Sequence, residues 1–80
     1  MVALKNIRIS NNVISCDYFP EGSDRPGHIE VDTDTGEIIR VDYSDYEYGK
    51  KTYAGMTRAK LMELYTAGEA LPNEAISIWY

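Results

Sequence analysis

The sequence predicts a small α+β domain in which a single amphipathic helix covers one face of an antiparallel sheet. Up to about residue 42, apolar and polar residues alternate with a period of two, and turn sequences separate the alternating runs. From about residue 50 the apolar residues recur at spacings of three and four, which is typical of a helix. The predicted order is β-β-β-β-α-β, a two-layer arrangement within one domain over residues 1–80.

The first two strands are predicted from one hairpin signal. Lys5–Ser10 and Val13–Phe19 both alternate, and the two asparagines Asn11 and Asn12 separate them. Asparagine tolerates the positive φ that a two-residue hairpin turn requires. In the second run, the residues expected on the core face are Ile14, Cys16 and Tyr18.

A second hairpin follows a loop. Pro20–Gly27 has the proline and glycine content of a loop, and alternation resumes at His28–Asp32. Thr33–Gly36 is predicted to be a turn with Gly36 in the left-handed conformation, and Glu37–Asp42 is the returning strand. The first half is therefore expected to form an antiparallel meander.

The C-terminal part is predicted to contain the helix and a last strand. The helical stripe consists of Ala54, Thr57, Leu61, Leu64, Tyr65 and Gly68. Gly68 and Pro72 are placed to end this helix of about 17 residues, which at about 25 Å is long enough to cross four strands. Asn73–Tyr80 alternates as a strand, although a short helical start at Asn73-Glu74 is the competing interpretation. The sequence does not say where this strand pairs.

Composition excludes several classes of protein. The only cysteine is Cys16, so no intramolecular disulfide can form, and together with the lack of a signal-like apolar stretch this favours a reducing, cytoplasmic setting. No apolar run approaches the roughly 20 residues of a membrane span. The net charge of −5 argues against general affinity for nucleic acid.

No pattern of catalytic, metal or cofactor-binding residues is evident, so no catalytic residue, metal or cofactor is predicted. Cys16 is in phase with core positions and His28 is out of phase with its apolar neighbours, so the two are not expected to form a nucleophile–base pair. Asp32, Asp34 and Glu37 surround a turn, where acids commonly cap the local backbone, and they lack the spacing of a calcium loop. No glycine-rich phosphate loop is present.

The charges are distributed unevenly along the chain. Residues 17–47 hold ten acids and two arginines, a net −8, whereas residues 50–60 hold four cations and no acid, a net +4. Cations at the start of a helix oppose its macrodipole, so something is expected to compensate them. Attraction to the acidic segment 42–47 is one explanation, and a patch that binds an anion, a nucleic acid or an acidic partner is the other.

Tyrosines cluster where the acidic and basic segments meet. Exposed tyrosine flanked by charge is typical of protein-binding surfaces, because the ring supplies contact area at low entropic cost. The leading hypothesis is therefore a non-enzymatic interaction module that binds a protein partner or a second copy of itself. Its predicted binding residues are Tyr43, Tyr46, Tyr48, Lys50, Lys51, Tyr53 and Arg58.

Three alternatives are kept open. The basic helix start, Lys50–Lys60, could bind nucleic acid or another anion, with an affinity that falls steeply with salt. The acidic, tyrosine-rich segment could imitate nucleic-acid charge, as phage-type inhibitors do. An enzyme would need a concave pocket in which at least two titratable groups converge.

The C-terminal 35 residues resemble a group of small bacterial proteins. They combine a tyrosine-rich start and a basic amphipathic helix with the sequences Gly68-Glu69-Ala70-Leu71-Pro72 and Ile78-Trp79-Tyr80. In this they resemble small uncharacterised proteins of Gram-positive bacteria and their mobile elements. The resemblance implies a bacterial cytosolic setting and no catalytic residues.

Overall fold

A computed structural model describes residues 1–45 and 52–78, and it confirms the predicted α+β fold. The described elements are β1 (Val2–Ser10), β2 (Val13–Pro20), β3 (Gly27–Asp32), β4 (Ile38–Asp42), α1 (Thr52–Thr66) and β5 (Glu74–Ser77). The strands form one antiparallel sheet in the order β4-β3-β2-β1-β5. The predicted β-β-β-β-α-β order and the meander of the first four strands are both confirmed.

Both predicted turns have the expected backbone. Asn11 and Asn12 have φ values of 50° and 65°, and they join β1 directly to β2. Gly36, with φ of 75°, lies in the turn before β4 and donates its N–H to the carbonyl of Asp32 at 2.8 Å. These left-handed residues set the register of the two hairpins.

Strand β1 begins earlier than predicted. Its alternation is interrupted by a bulge, so the residues before the bulge do not fit the pattern from which the strand was predicted. Asn6 has a φ of 57°, and the register with β2 shifts between Lys5 and Arg8. Val2, Leu4 and Ile7 are all buried although their spacing is irregular. A bulge of this kind cannot be seen in a period-of-two pattern.

The last strand pairs with the first. Val2 lies opposite Ser77 and Lys5 opposite Glu74, so β5 forms the edge of the sheet beside β1. The strand covers only Glu74–Ser77 of the predicted Asn73–Tyr80, and Trp79 and Tyr80 lie outside the described residues.

Helix α1 packs over β1, β2, β3 and β5. Ala54, Thr57 and Leu61 from the predicted stripe are buried, whereas Tyr65 is 39% exposed. Gly68 has a φ of 74° and follows the helix end, as predicted. Among the described residues, no helix has the length and apolar character needed to cross a membrane.

Tyr18 lies at the end of the sheet where β2 ends and β3 begins. Its ring is fully buried, and a Cβ atom on Gly27 would clash with it, so only glycine fits at that position. The Tyr18 hydroxyl accepts a hydrogen bond from the backbone N–H of Ser44 at 3.2 Å, and the Ser44 hydroxyl donates to the carbonyl of Arg25. Tyr18 thereby attaches the segment after β4 to the β2–β3 loop.

Candidate functional site

The face of the sheet opposite α1 carries a row of charged side chains. In register across the five described strands, this row consists of Asp42, His28, Asp17, Lys5 and Glu74. Opposite charges in directly opposed positions stabilise a sheet. When His28 is protonated, the signs alternate across the whole row, so each charge has a neighbour of opposite sign in register.

His28 lies between two carboxylates on this face. Its Nδ1 is 2.9 Å from Oδ1 of Asp17, and its Nε2 is 3.0 Å from Oε2 of Glu30. A neutral imidazole can donate from only one ring nitrogen, whereas an imidazolium donates from both. The two contacts therefore fit the protonated ring. Asn6 donates from Nδ2 to the other oxygen of Asp17 at 2.9 Å.

The electrostatic environment shifts the pKa values of this cluster in opposite directions. Partial burial of His28 disfavours its charged form, but the hydrogen bonds and charges of Asp17 and Glu30 outweigh it and raise the pKa of His28. For Asp17, burial acts to raise the pKa, but the hydrogen bonds from Asn6 and His28, with the charges of His28 and Arg8, lower it overall. Because the pKa of Asp17 falls and that of His28 rises, the range of pH in which the two side chains carry opposite charges is widened.

This geometry does not provide a general base or an activated nucleophile. Both ring nitrogens of His28 are occupied, so a substrate proton has no vacant nitrogen to approach. Cys16 is fully buried on the helix-covered face, where burial and the charge of Asp17 raise its thiol pKa to about 12. The prediction that Cys16 is a core residue and does not pair with His28 is confirmed.

The acids of the β3–β4 turn cap the backbone. Oδ1 of Asp32 accepts hydrogen bonds from the N–H groups of Asp34 at 2.7 Å and Thr35 at 3.3 Å. This is the ordinary role of an aspartate in a turn. In the part of the chain that the structure describes, no cluster of three or more histidine, cysteine or acidic side chains is arranged to hold a metal ion.

A shallow cavity of about 410 Å³ lies along β1 and β5. It is lined by Ala3, Leu4, Lys5, Glu74, Ala75 and Ile76. Its two titratable residues, Lys5 and Glu74, oppose each other in register, as in an ordinary cross-strand pair. The Lys5 ammonium lies 5.0 Å from the centroid of the Phe19 ring, a cation–π arrangement.

The second distinctive surface is the β4 edge, which we define as Ile38–Asp42 together with Tyr43. In the described residues, helix α1 packs mainly over the other four strands, and Val41 of β4 reaches the core from beside them. Ile38, Ile39 and Tyr43 are 37%, 55% and 45% exposed. A register shift opposite Glu30 and Val31 also inserts an extra residue into β4. The β4 edge therefore combines apolar side chains with an edge strand of the described sheet.

The three predicted binding residues that the structure describes lie at separate features of the fold. Tyr43 is exposed at the β4 edge. Tyr53 is half-buried and donates its hydroxyl to Oε2 of Glu21 at 3.0 Å, whereas Arg58 donates from Nε to the carbonyl of Gly36. Glu21 precedes β3 and Gly36 follows it, so these two contacts lie at opposite ends of that strand. Tyr46, Tyr48, Lys50 and Lys51 lie outside the described residues.

Arg58 and Lys60, the cations of the basic segment that the structure describes, both make intramolecular contacts. Arg58 binds Gly36 as described, and Nζ of Lys60 lies 3.1 Å from Oε2 of Glu63. Such contacts occupy charges that an anionic ligand would need.

Comparisons with protein-family models, with curated proteins and with solved structures find no match to this chain. The resemblance of its C-terminal part to small Gram-positive proteins therefore stays a prediction.

Proposed function

We propose that the protein is a non-enzymatic protein-binding module, and that it binds an extended segment of a partner by strand addition at the β4 edge. The observation that carries the proposal is the exposure of Ile38, Ile39 and Tyr43 along an edge strand over which the described part of the helix packs little. Strand addition uses backbone hydrogen bonds for affinity and alternating side chains for specificity.

The energetics of the β4 edge support this role. Full burial of an isoleucine side chain stabilises a complex by roughly 1.5–3 kcal/mol, and Ile39 has more than half of its surface available. Arg40 and Asp42 follow it in the strand, with side chains that are each 65% exposed. The edge thus offers an apolar anchor followed by a cation and an anion, the mixture that selects one register of a bound strand.

The chemistry of the titratable groups supports binding over catalysis. The sole histidine is held between two carboxylates and the sole cysteine is buried with a raised pKa. Tyr43 is the first residue of the tyrosine-rich segment, so the β4 edge adjoins the predicted site. Tyr46, Tyr48, Lys50 and Lys51 remain part of the proposed surface.

The proposal is tested by selecting ligands from a random-peptide display library and mapping one of them by amide chemical shifts. We expect the shifts to concentrate on Ile38–Asp42 and on the neighbouring strand β3. Ile39→Lys should weaken binding about tenfold or more, because it places a charge where an apolar contact forms.

The matched control is Ile76→Lys on the opposite edge strand. Ile76 is 54% exposed and Ile39 is 55% exposed, so the two substitutions change the surface equally. The control should bind like the wild type. Failure to select any binder, or peptides whose shifts map away from β4, would overturn the proposed function.

A further inference from the structure

We propose that a second copy of this chain occupies the β4 edge, with the two β4 strands antiparallel about a two-fold axis at Val41. This inference rests on the proposed function, because it specifies the partner at the same edge. Pairing in this way would join two five-stranded sheets into one continuous sheet, and it would be a self-complementary, isologous contact.

The backbone directions along β3 and β4 permit this pairing. The N–H of Asp32 bonds to the carbonyl of Glu37 at 2.9 Å, and the N–H of Thr33 bonds to the carbonyl of Asn12 at 2.9 Å. Because backbone groups alternate along a strand, Glu30 and His28 also direct theirs towards β4. Their register partners Arg40 and Asp42 therefore point back at β3, and Val41 between them points its N–H and carbonyl outward.

Outward backbone groups fix the allowed registers to steps of two residues. An axis through Val41 places its N–H and carbonyl opposite those of the second copy's Val41, which gives two reciprocal hydrogen bonds. A slip of one residue would oppose outward groups to inward ones and would lose these bonds.

Charge then selects one register among those that remain. With the axis at Val41, Arg40 lies opposite the second copy's Asp42, and the reciprocal pair forms on the other side of the axis. A shift of two residues in one direction places Arg40 opposite the second copy's Arg40. A shift of two residues in the other direction places Asp42 opposite the second copy's Asp42. Like charges directly opposite are destabilising, so only the Val41 register is favourable at both positions.

The apolar side chains agree with the same register. Ile39 comes beside the second copy's Tyr43, and because Ile39 is the extra residue of β4, this contact is made by the side chains and not by the hydrogen-bond ladder. An aromatic ring beside a β-branched side chain is a favourable pair. Arg40 and Asp42 contact each other at only 3.5 Å within one chain, with both side chains largely exposed, so their pairing across the axis displaces little.

The other edge does not offer this complementarity. Glu74 is the only charged residue of β5, so antiparallel pairing of two β5 strands supplies no cation to oppose it. The exposed Ile76 and Ile78 there carry no information that would fix a register. The β4 edge is therefore the edge that encodes a specific partner.

The inference is tested by sedimentation equilibrium of residues 1–80 between about 10 µM and 1 mM, a range suited to a small interface. We expect a reversible monomer–dimer equilibrium. Arg40→Glu leaves each edge with two acids and Asp42→Lys leaves it with two cations, so each variant alone should dimerise at least about tenfold more weakly.

Mixing the two variants provides the decisive measurement, because each position then faces an opposite charge. The heterodimer should recover an affinity within about threefold of the wild type, a recovery that also shows both variants to be folded. Arg8→Glu and Glu69→Lys make the same changes in net charge at exposed sites in β1 and after helix α1, and they should leave dimerisation unchanged.

A wild type that stays monomeric at about 1 mM, or two variants that dimerise as well as the wild type, would overturn the inference. Absence of recovery on mixing would also overturn it. A monomer whose β4 edge still binds a selected peptide would leave the proposed function standing, whereas loss of both activities would remove both proposals.

Discussion

At the scale of single residues, His28 makes stability depend on pH. Its folded-state pKa lies above the ordinary value of 6.5, so its contribution is fully present below about pH 6.5 and is lost as pH rises through the folded pKa. Because the side chain is 36% exposed, solvent screening limits the effect to about 1 kcal/mol or less. Urea unfolding should show the free energy of unfolding falling from pH 6 towards pH 8.

The control is His28→Gln, which keeps a polar side chain but cannot titrate. Its unfolding free energy should be nearly flat over the same interval. Since His28 is the only histidine, its ring proton resonances report the pKa directly. A measured pKa at or below 6.5, or an equal slope in His28→Gln, would contradict the ion-pair description.

The same cluster shows what sequence can predict of a site. The alternation of β2 and β3 places Asp17 and His28 on the face away from the core, and the structure confirms this. Their contact, however, depends on the register across an irregular loop. Asn6 joins the cluster only because a bulge turns its side chain there, and a bulge leaves no trace in a simple periodic pattern.

At the scale of elements, Arg58 fastens helix α1 to the β3–β4 turn. Its Nε donates to the carbonyl of Gly36, a residue whose positive φ the turn requires. Arg58→Met keeps an unbranched apolar stem and removes this hydrogen bond, so the free energy of unfolding should fall by about 1 kcal/mol. Chemical denaturation monitored by circular dichroism measures the change.

Lys60→Met, two residues further along the helix, is the matched comparison. Lys60 pairs with Glu63 one turn away on the same helix, and such a pair is worth only about 0.5 kcal/mol or less. A loss in Arg58→Met no larger than in Lys60→Met would show that the contact with Gly36 does not join the two elements.

The elements themselves could be predicted because each has a local signal, such as the Asn11-Asn12 turn or the left-handed Gly68. Which strand pairs with which could not be predicted, because strand order is a property of the whole sheet. The position of β5 beside β1 leaves β4 at the far edge, so the proposed binding surface follows from a pairing that no local pattern encodes.

At the scale of the whole molecule, the fold depends on one small core between the sheet and the helix. β2 is the central strand, and its Ile14, Cys16 and Tyr18 are fully buried beneath the helix. Tyr18 also excludes any side chain at Gly27. A domain of this size is stable by only about 5 kcal/mol, so a single misfit in this strand is felt throughout the molecule.

Cys16 therefore reports opening of the whole fold. Its thiol is buried in the central strand with a pKa near 12, so a disulfide reagent such as Ellman's reagent can react only after β2 is exposed. At pH 8 we expect the labelling of native protein to be about 10³-fold slower than that of unfolded protein, which corresponds to about 4 kcal/mol.

Gly27→Ala, which forces a methyl group against Tyr18, should accelerate labelling at least about fivefold because overpacking of this kind costs about 1–3 kcal/mol. Gly55→Ala adds the same methyl group at a site where, among the described residues, no side chain or other element comes within 4 Å. In a helix it should leave labelling unchanged or slow it. Rapid labelling that ignores Gly27→Ala would mean that β2 becomes accessible through local opening, and the sheet would then not unfold as one cooperative unit.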